Sequence, residues 1–236
     1  MAQIADVIDS YLASSVDALE AARQLTASIE ADLTEPPDDY SASPIFDEIL
    51  YRIRLVTHDH AWQDKLLNPL GLTVRELWNG SLEKNTKGTW ASLNTFVARL
   101  TMAEIMDFDS YGVWAMRYAL EDDTLAPKPE EVMGKVNEGE LNPEVLDSHV
   151  PAAAVWVIYA GRHIWALAPK GKEGSKATRG GLRWKGFPGY CVERWNLWKE
   201  RFQSFAGRTD LNAQTREMSK MAHVIMTKLD GGTVQR

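Results

Sequence analysis

Trp156, Tyr159 and His163 are spaced three and four apart, so on a helix they share one face. An imidazole beside a phenol hydroxyl can move a proton near neutral pH, which makes His163 and Tyr159 the candidate catalytic pair. The same spacing serves packing, because a histidine on an apolar face is commonly a satisfied core residue. A second pattern lies at Cys191, Trp195, Trp198 and Phe202, spaced four, three and four apart. A face carrying two Trp and one Phe cannot stay in water, since each ring hides on the order of 150–250 Å² when buried. Arg194, Lys199, Glu200 and Arg201 fall off that stripe and are expected to stay wet.

Nine tryptophans in 236 residues is a high load. They can fill a core, or they can line a pocket for an apolar or conjugated metabolite. For the pocket, the candidate substrate-binding residues are Trp114, Tyr118, Trp156, Trp184, Arg194, Trp195 and Trp198. Cys191 sits on the apolar stripe, where a thiol is inert.

Other clusters carry less. His58-Asp59-His60 could share a metal ion only in an extended segment, because residues two apart on a helix point away from each other. A turn capped by Asp59 or His60 explains it as well. Asp107-Phe-Asp109 and Glu121-Asp-Asp123 resemble the carboxylate pairs of magnesium-dependent terpene cyclases, but the second ligand set is missing: Asn196 and Glu200 lack the hydroxyl between them. No metal and no cofactor is therefore expected. Lys170 to Lys185 holds six basic residues against Glu173. It lacks the order of a phosphate loop. It reads as a solvated loop, or as a lid that draws an anionic substrate over a pocket.

The elements that position these residues are helices. Apolar residues recur at helical spacing and convincing strand alternation is absent. Helices are expected over Met1 to Leu12, Ser15 to Leu33, and from Ser43-Pro44 to about Val56. A short one follows the capping box Thr73 to Glu76. Trp90, Leu93, Phe96, Val97 and Leu100 face the next. Another opens at Ser110, with Val113, Trp114, Arg117, Tyr118 and Glu121 at helical spacing. Asn142-Pro143 starts a short helix, and Val150-Pro151 restarts the chain into Ala152 to Leu167. The aromatic helix ends at Gly207, and Asn212 to Leu229 is the last. The expectation is an all-α, single-domain irregular bundle of about nine or ten helices over 1–236. Its core is formed by the helices at 152–167 and 190–205. Pro/acidic loops lie near 34–43 and 126–142, and the basic loop covers 168–185.

Net charge is −7, which argues against a nucleic-acid partner. One cysteine excludes an internal disulfide and fits a reducing compartment, so a cytoplasmic location is expected. The apolar run from Pro151 to Leu167 is broken by Arg162 and His163, so no membrane span is expected. Asp6 and Asp9 without a basic leader do not read as a signal peptide.

Several blocks together resemble one family. They are Asn68-Pro-Leu-Gly71, Arg75-Glu76-Leu77-Trp78, Trp90-x-x-Leu93-x-x-Phe96-x-x-Arg99-Leu100, and Tyr111-Gly-x-Trp114-Ala-x-Arg117-Tyr118. Val150-Pro-Ala-Ala-Ala154, Gly181-Leu182 and Arg194-Trp195-x-x-Trp198-Lys-x-Arg-Phe202 complete the set. The chain is similar to the fungal family of domain of unknown function 3632 over nearly its whole length, although its basic loop is longer. The resemblance implies a mostly helical cytoplasmic protein with no assigned activity, whose relatives often stand beside secondary-metabolite genes. Two readings stay open. One is a cofactor-independent cyclase, isomerase or pericyclase acting on a small apolar polyketide or terpenoid. The other is a non-catalytic helical protein that binds a metabolite or a protein. A homodimer is also left open.

Overall fold

The computed structural model describes residues 71–72, 74–79, 89–122, 142–171 and 176–231, with only positions 6, 10, 13, 20 and 24 before them. The first three expected helices, the His58 to His60 turn and both Pro/acidic loops lie outside the described residues, apart from those few positions. The described residues are helices and turns, with no strand among them. The chain divides into two compact units, Met1–Asp107 and Phe108–Arg236.

In the first unit, helix α1 spans Thr89–Met102. Its predicted stripe, Trp90, Leu93, Phe96, Val97 and Leu100, is buried. The burial extends round the helix to Asn94, Thr95 and Thr101. These buried polar side chains bond back onto their own helix: Asn94 Nδ2 donates to Trp90 O (2.8 Å), Thr95 Oγ1 to Ala91 O (2.9 Å) and Thr101 Oγ1 to Val97 O (2.9 Å). They therefore avoid the cost of an unmet hydrogen bond in the core. Trp78, on the helical stretch 74–79, meets Trp90 edge-on at 4.5 Å.

The second unit opens with α2, Asp109–Met116, which passes directly into a π turn over Arg117–Glu121. Helix α3 then spans Pro143–Leu167, α4 spans Val192–Ala206 and α5 spans Ala213–Gly231. A short 3-10 turn, Lys176–Thr178, lies between α3 and α4. Helix α5 packs along both α3 and α4, and α2 packs on α3. Gly161 of α3 lies against α5: a Cβ there would stand 3.4 Å from Leu229 Cδ1, an ordinary packing distance.

Helix α3 starts as the sequence dictates. Asn142 is its N-cap, accepting from Glu144 N at 2.9 Å, and Pro143 occupies the first turn. The expected restart at Val150-Pro151 is not found: the helix runs unbroken through Pro151. A proline there removes one backbone bond. Burial of every residue from Ser148 to Val157 offsets the loss. By length and composition alone α3 could cross a membrane, but 61% of that apolar window is buried inside the protein.

Helix α4 begins one residue after Cys191, which is extended at φ −149° and forms the N-cap. Gly189, at φ 87°, makes the turn that a side chain would strain. Trp195, Trp198 and Phe202 are fully buried, as the stripe requires. Arg194 is the correction: expected to stay wet, it is 0% exposed. Its position off the aromatic stripe faces a buried carboxylate instead of solvent.

Candidate functional site

That carboxylate is Glu121, the last residue of the π turn. A π turn widens the helix by one residue and is often found at functional sites. Asp122 N bonds to Arg117 O at 3.0 Å, five residues back, which closes it. Helical spacing alone placed Glu121 on a regular α-stripe, so this change of direction was not foreseen.

Arg194 meets Glu121 as a fork: Nε donates to Oε1 at 2.7 Å and Nη2 to Oε2 at 3.0 Å. Trp198 Nε1 also donates to Oε1 (2.6 Å), and Gly181 N to Oε2 (2.9 Å). Four donors thus occupy the two oxygens. Arg194 Nη1 donates further to Thr178 O (3.0 Å) and Gly189 O (2.8 Å). Both charged side chains are 0% exposed. A buried ion pair is tolerated when its hydrogen bonds are met in this way.

The backbone groups bound to this pair, at Thr178, Gly181 and Gly189, belong to the loop 176–190. Further bonds hold the same loop: Arg183 N to Glu121 O (3.0 Å), Leu182 N to Asp122 Oδ1 (3.2 Å) and Gly189 N to Thr178 O (3.2 Å). Trp114 Nε1 donates to Ala177 O at 2.8 Å, and Trp184 Nε1 to Phe187 O at 2.9 Å. Gly181 has no room for a side chain, since a Cβ would lie 2.1 Å from Asp122 Oδ1. A loop with four basic residues and no acidic one is therefore fixed from within.

A second polar pair joins α2 to α3. His163 Nε2 and Asp109 Oδ1 are 2.8 Å apart, with side chains 28% and 11% exposed. Tyr190 Oη donates to Asp109 O at 2.9 Å. Gly112 fits beneath this tyrosine; a Cβ there would approach its Oη to 2.6 Å and the Trp156 ring to 3.0 Å. In the tautomer that donates Nε2–H to the carboxylate, Nδ1 keeps its lone pair. That is the arrangement of an oriented proton acceptor.

The remaining candidates are distributed as follows. Trp195 packs on Trp165 with ring centres 5.2 Å apart, and its buried Nε1 has no acceptor among the described residues. Tyr118 lies 6.2 Å from the His149 ring, with the Arg117 guanidinium 5.9 Å from its own centre. Trp114, Trp184 and Tyr159 are half-buried, and Trp156 is fully buried. Arg194 and Trp198 come together around Glu121; the guanidinium lies 5.2 Å from the Trp198 ring centre. Burial pushes the Cys191 thiol above its ordinary value, so it is a poor nucleophile. Among the described residues, no group of three or more His, Cys, Asp or Glu could hold a metal ion.

Glu121 and Asp109 are the two residues that the sequence placed in carboxylate clusters without finding their partners. The available signal was a Glu at core spacing and an Arg next to Trp195 in the aromatic helix.

The described part is an all-α protein with a tryptophan-rich core. The chain belongs to the family described as a protein of unknown function (DUF3632), whose match spans residues 2–202. That span includes the Arg194 and Trp198 block and stops before α5. No curated protein and no solved structure matches the chain.

Proposed function

We propose that this chain is a cofactor-independent enzyme of fungal secondary metabolism, of the cyclase, isomerase or pericyclase type, working in the cytoplasm on a small apolar polyketide or terpenoid. The observation that carries the reading is the Asp109–His163 pair, 2.8 Å long with the imidazole 28% exposed. Asp109 orients His163, whose Nδ1 takes or returns a substrate proton; Tyr159, one turn earlier on α3, supplies a hydroxyl. Half-buried Trp114 and Trp184, with Tyr118, give apolar surface for the ligand, and Trp195 packs behind them. Trp156 and the Arg194–Trp198 pair shape the site from behind. Nine or ten helices in a single domain belong to the same proposal.

The second reading is a non-catalytic helical protein that binds a metabolite or a protein, as a monomer or a homodimer. Full burial of Trp90, Trp156, Trp195 and Trp198 favours it, because rings packed into a core are not free to line a pocket.

Tryptophan fluorescence titrated with a polyketide and terpenoid panel comes first; no change in emission with any compound removes both metabolite readings. With a ligand found, product formation is followed in His163→Ala, Asp109→Asn and Tyr159→Phe. Loss of about 10²–10⁴ in turnover in the first two supports proton transfer. Binding without turnover in the wild-type chain selects the second reading.

A further inference from the structure

The loop 176–190 contains an arrangement that the proposed proton chemistry does not use. Phe187 is 80% exposed and Leu182 is 50% exposed, the former being the most exposed large apolar side chain described. Lys176, Arg179, Arg183 and Lys185 are all exposed around them, and no acidic residue occurs from 176 to 190. The chain as a whole carries −7, so this positive surface is set against an acidic body. Such a charge distribution turns the loop toward an anionic surface.

We infer that this loop is a docking surface for anionic phospholipid membranes. The four cations meet headgroup phosphates and carboxylates, while Phe187 and Leu182 enter the interface between them. A bilayer accepts two apolar side chains without a shaped pocket, which a protein partner would have to supply. Single-stranded nucleic acid fits less well: the ring best suited to stacking, Trp184, is turned into the loop, its Nε1 bound to Phe187 O and its ring against Gly186. Leucine offers a base no stacking face.

The buried Glu121–Arg194 pair gives this surface its rigidity. A buried ion pair contributes little to stability compared with apolar residues of the same volume. Here it fixes Thr178, Gly181 and Gly189, so binding need not order the backbone.

The test is co-sedimentation of the full chain with phosphatidylcholine vesicles, with and without phosphatidylserine, at low and raised salt. The chain should pellet with the phosphatidylserine vesicles only, and salt should release it. Phe187→Ala should weaken binding about fivefold or more through lost apolar insertion, and the double variant Lys176→Glu/Arg179→Glu, which removes two cations, about thirtyfold or more, each checked for retained helix by circular dichroism. The proposal is overturned by equal pelleting with both vesicle types or by no pelleting at low salt. It is also overturned by binding that neither variant changes, or by tighter binding to single-stranded RNA or to an acidic polypeptide.

Discussion

Glu121 and Arg194 lie 73 residues apart in sequence and meet as a two-bond fork with no exposure to water. The pair is continuous with the backbone of a surface loop. Arg194 reaches Thr178 and Gly189, while Glu121 reaches Gly181. The centre of the second unit and the shape of its basic loop are thus set by the same charges. Losing either charge must affect both.

Removing one partner leaves the other buried and unpaired. Glu121→Leu or Arg194→Leu should each cost about 3–5 kcal/mol. The double variant should cost clearly less than the two together, because no lone charge remains. Urea unfolding midpoints of the four chains measure this. Additive losses would show that the two side chains do not act as a pair.

Gly181 has no room and Gly207 has plenty. A Cβ on Gly181 meets Asp122 Oδ1 at 2.1 Å, whereas the nearest atom to one on Gly207 is Ser204 O at 3.7 Å. Gly181→Ala should therefore destabilise by about 1–3 kcal/mol through overpacking. Gly207→Ala, at φ −94°, should stay within about 0.5 kcal/mol. Thermal melts of both variants make the comparison.

His149 introduces an acid sensitivity. Burial lowers its pKa from 6.5 to about 4. The folded state thus disfavours the proton that the unfolded chain takes up. Stability from this group is complete above pH 6.5 and falls as pH drops toward 4, by roughly 3 kcal/mol at most. His149→Phe should flatten the stability profile over that window. An unchanged slope in urea titrations would assign the acid loss to other groups.

Sequence periodicity located the helix faces well. The Trp90 to Leu100 and Trp195 to Phe202 stripes are buried because burial is what produces such spacing. Pro151 misled, since local chain chemistry argues for a break and only the surrounding core outweighs it. Arg194 and Glu121 misled for a different reason. Their burial depends on each other across 73 residues, and a π turn aims the glutamate. No local pattern encodes either condition. The Asp109–His163 pair, 54 residues apart, was half legible: the histidine stands out on its helix face, but the Asp107-Phe-Asp109 run, read only against a metal-binding pattern that it does not complete, gives no sign of the pairing.

Hydrogen exchange across residues 178–190 tests most directly whether the Glu121 carboxylate holds the loop in place. In the wild-type chain the Gly181, Leu182, Arg183 and Gly189 amides should be protected, and Glu121→Gln should release them while the amides of α1 keep their protection. Equal protection of the loop in both chains would contradict the account.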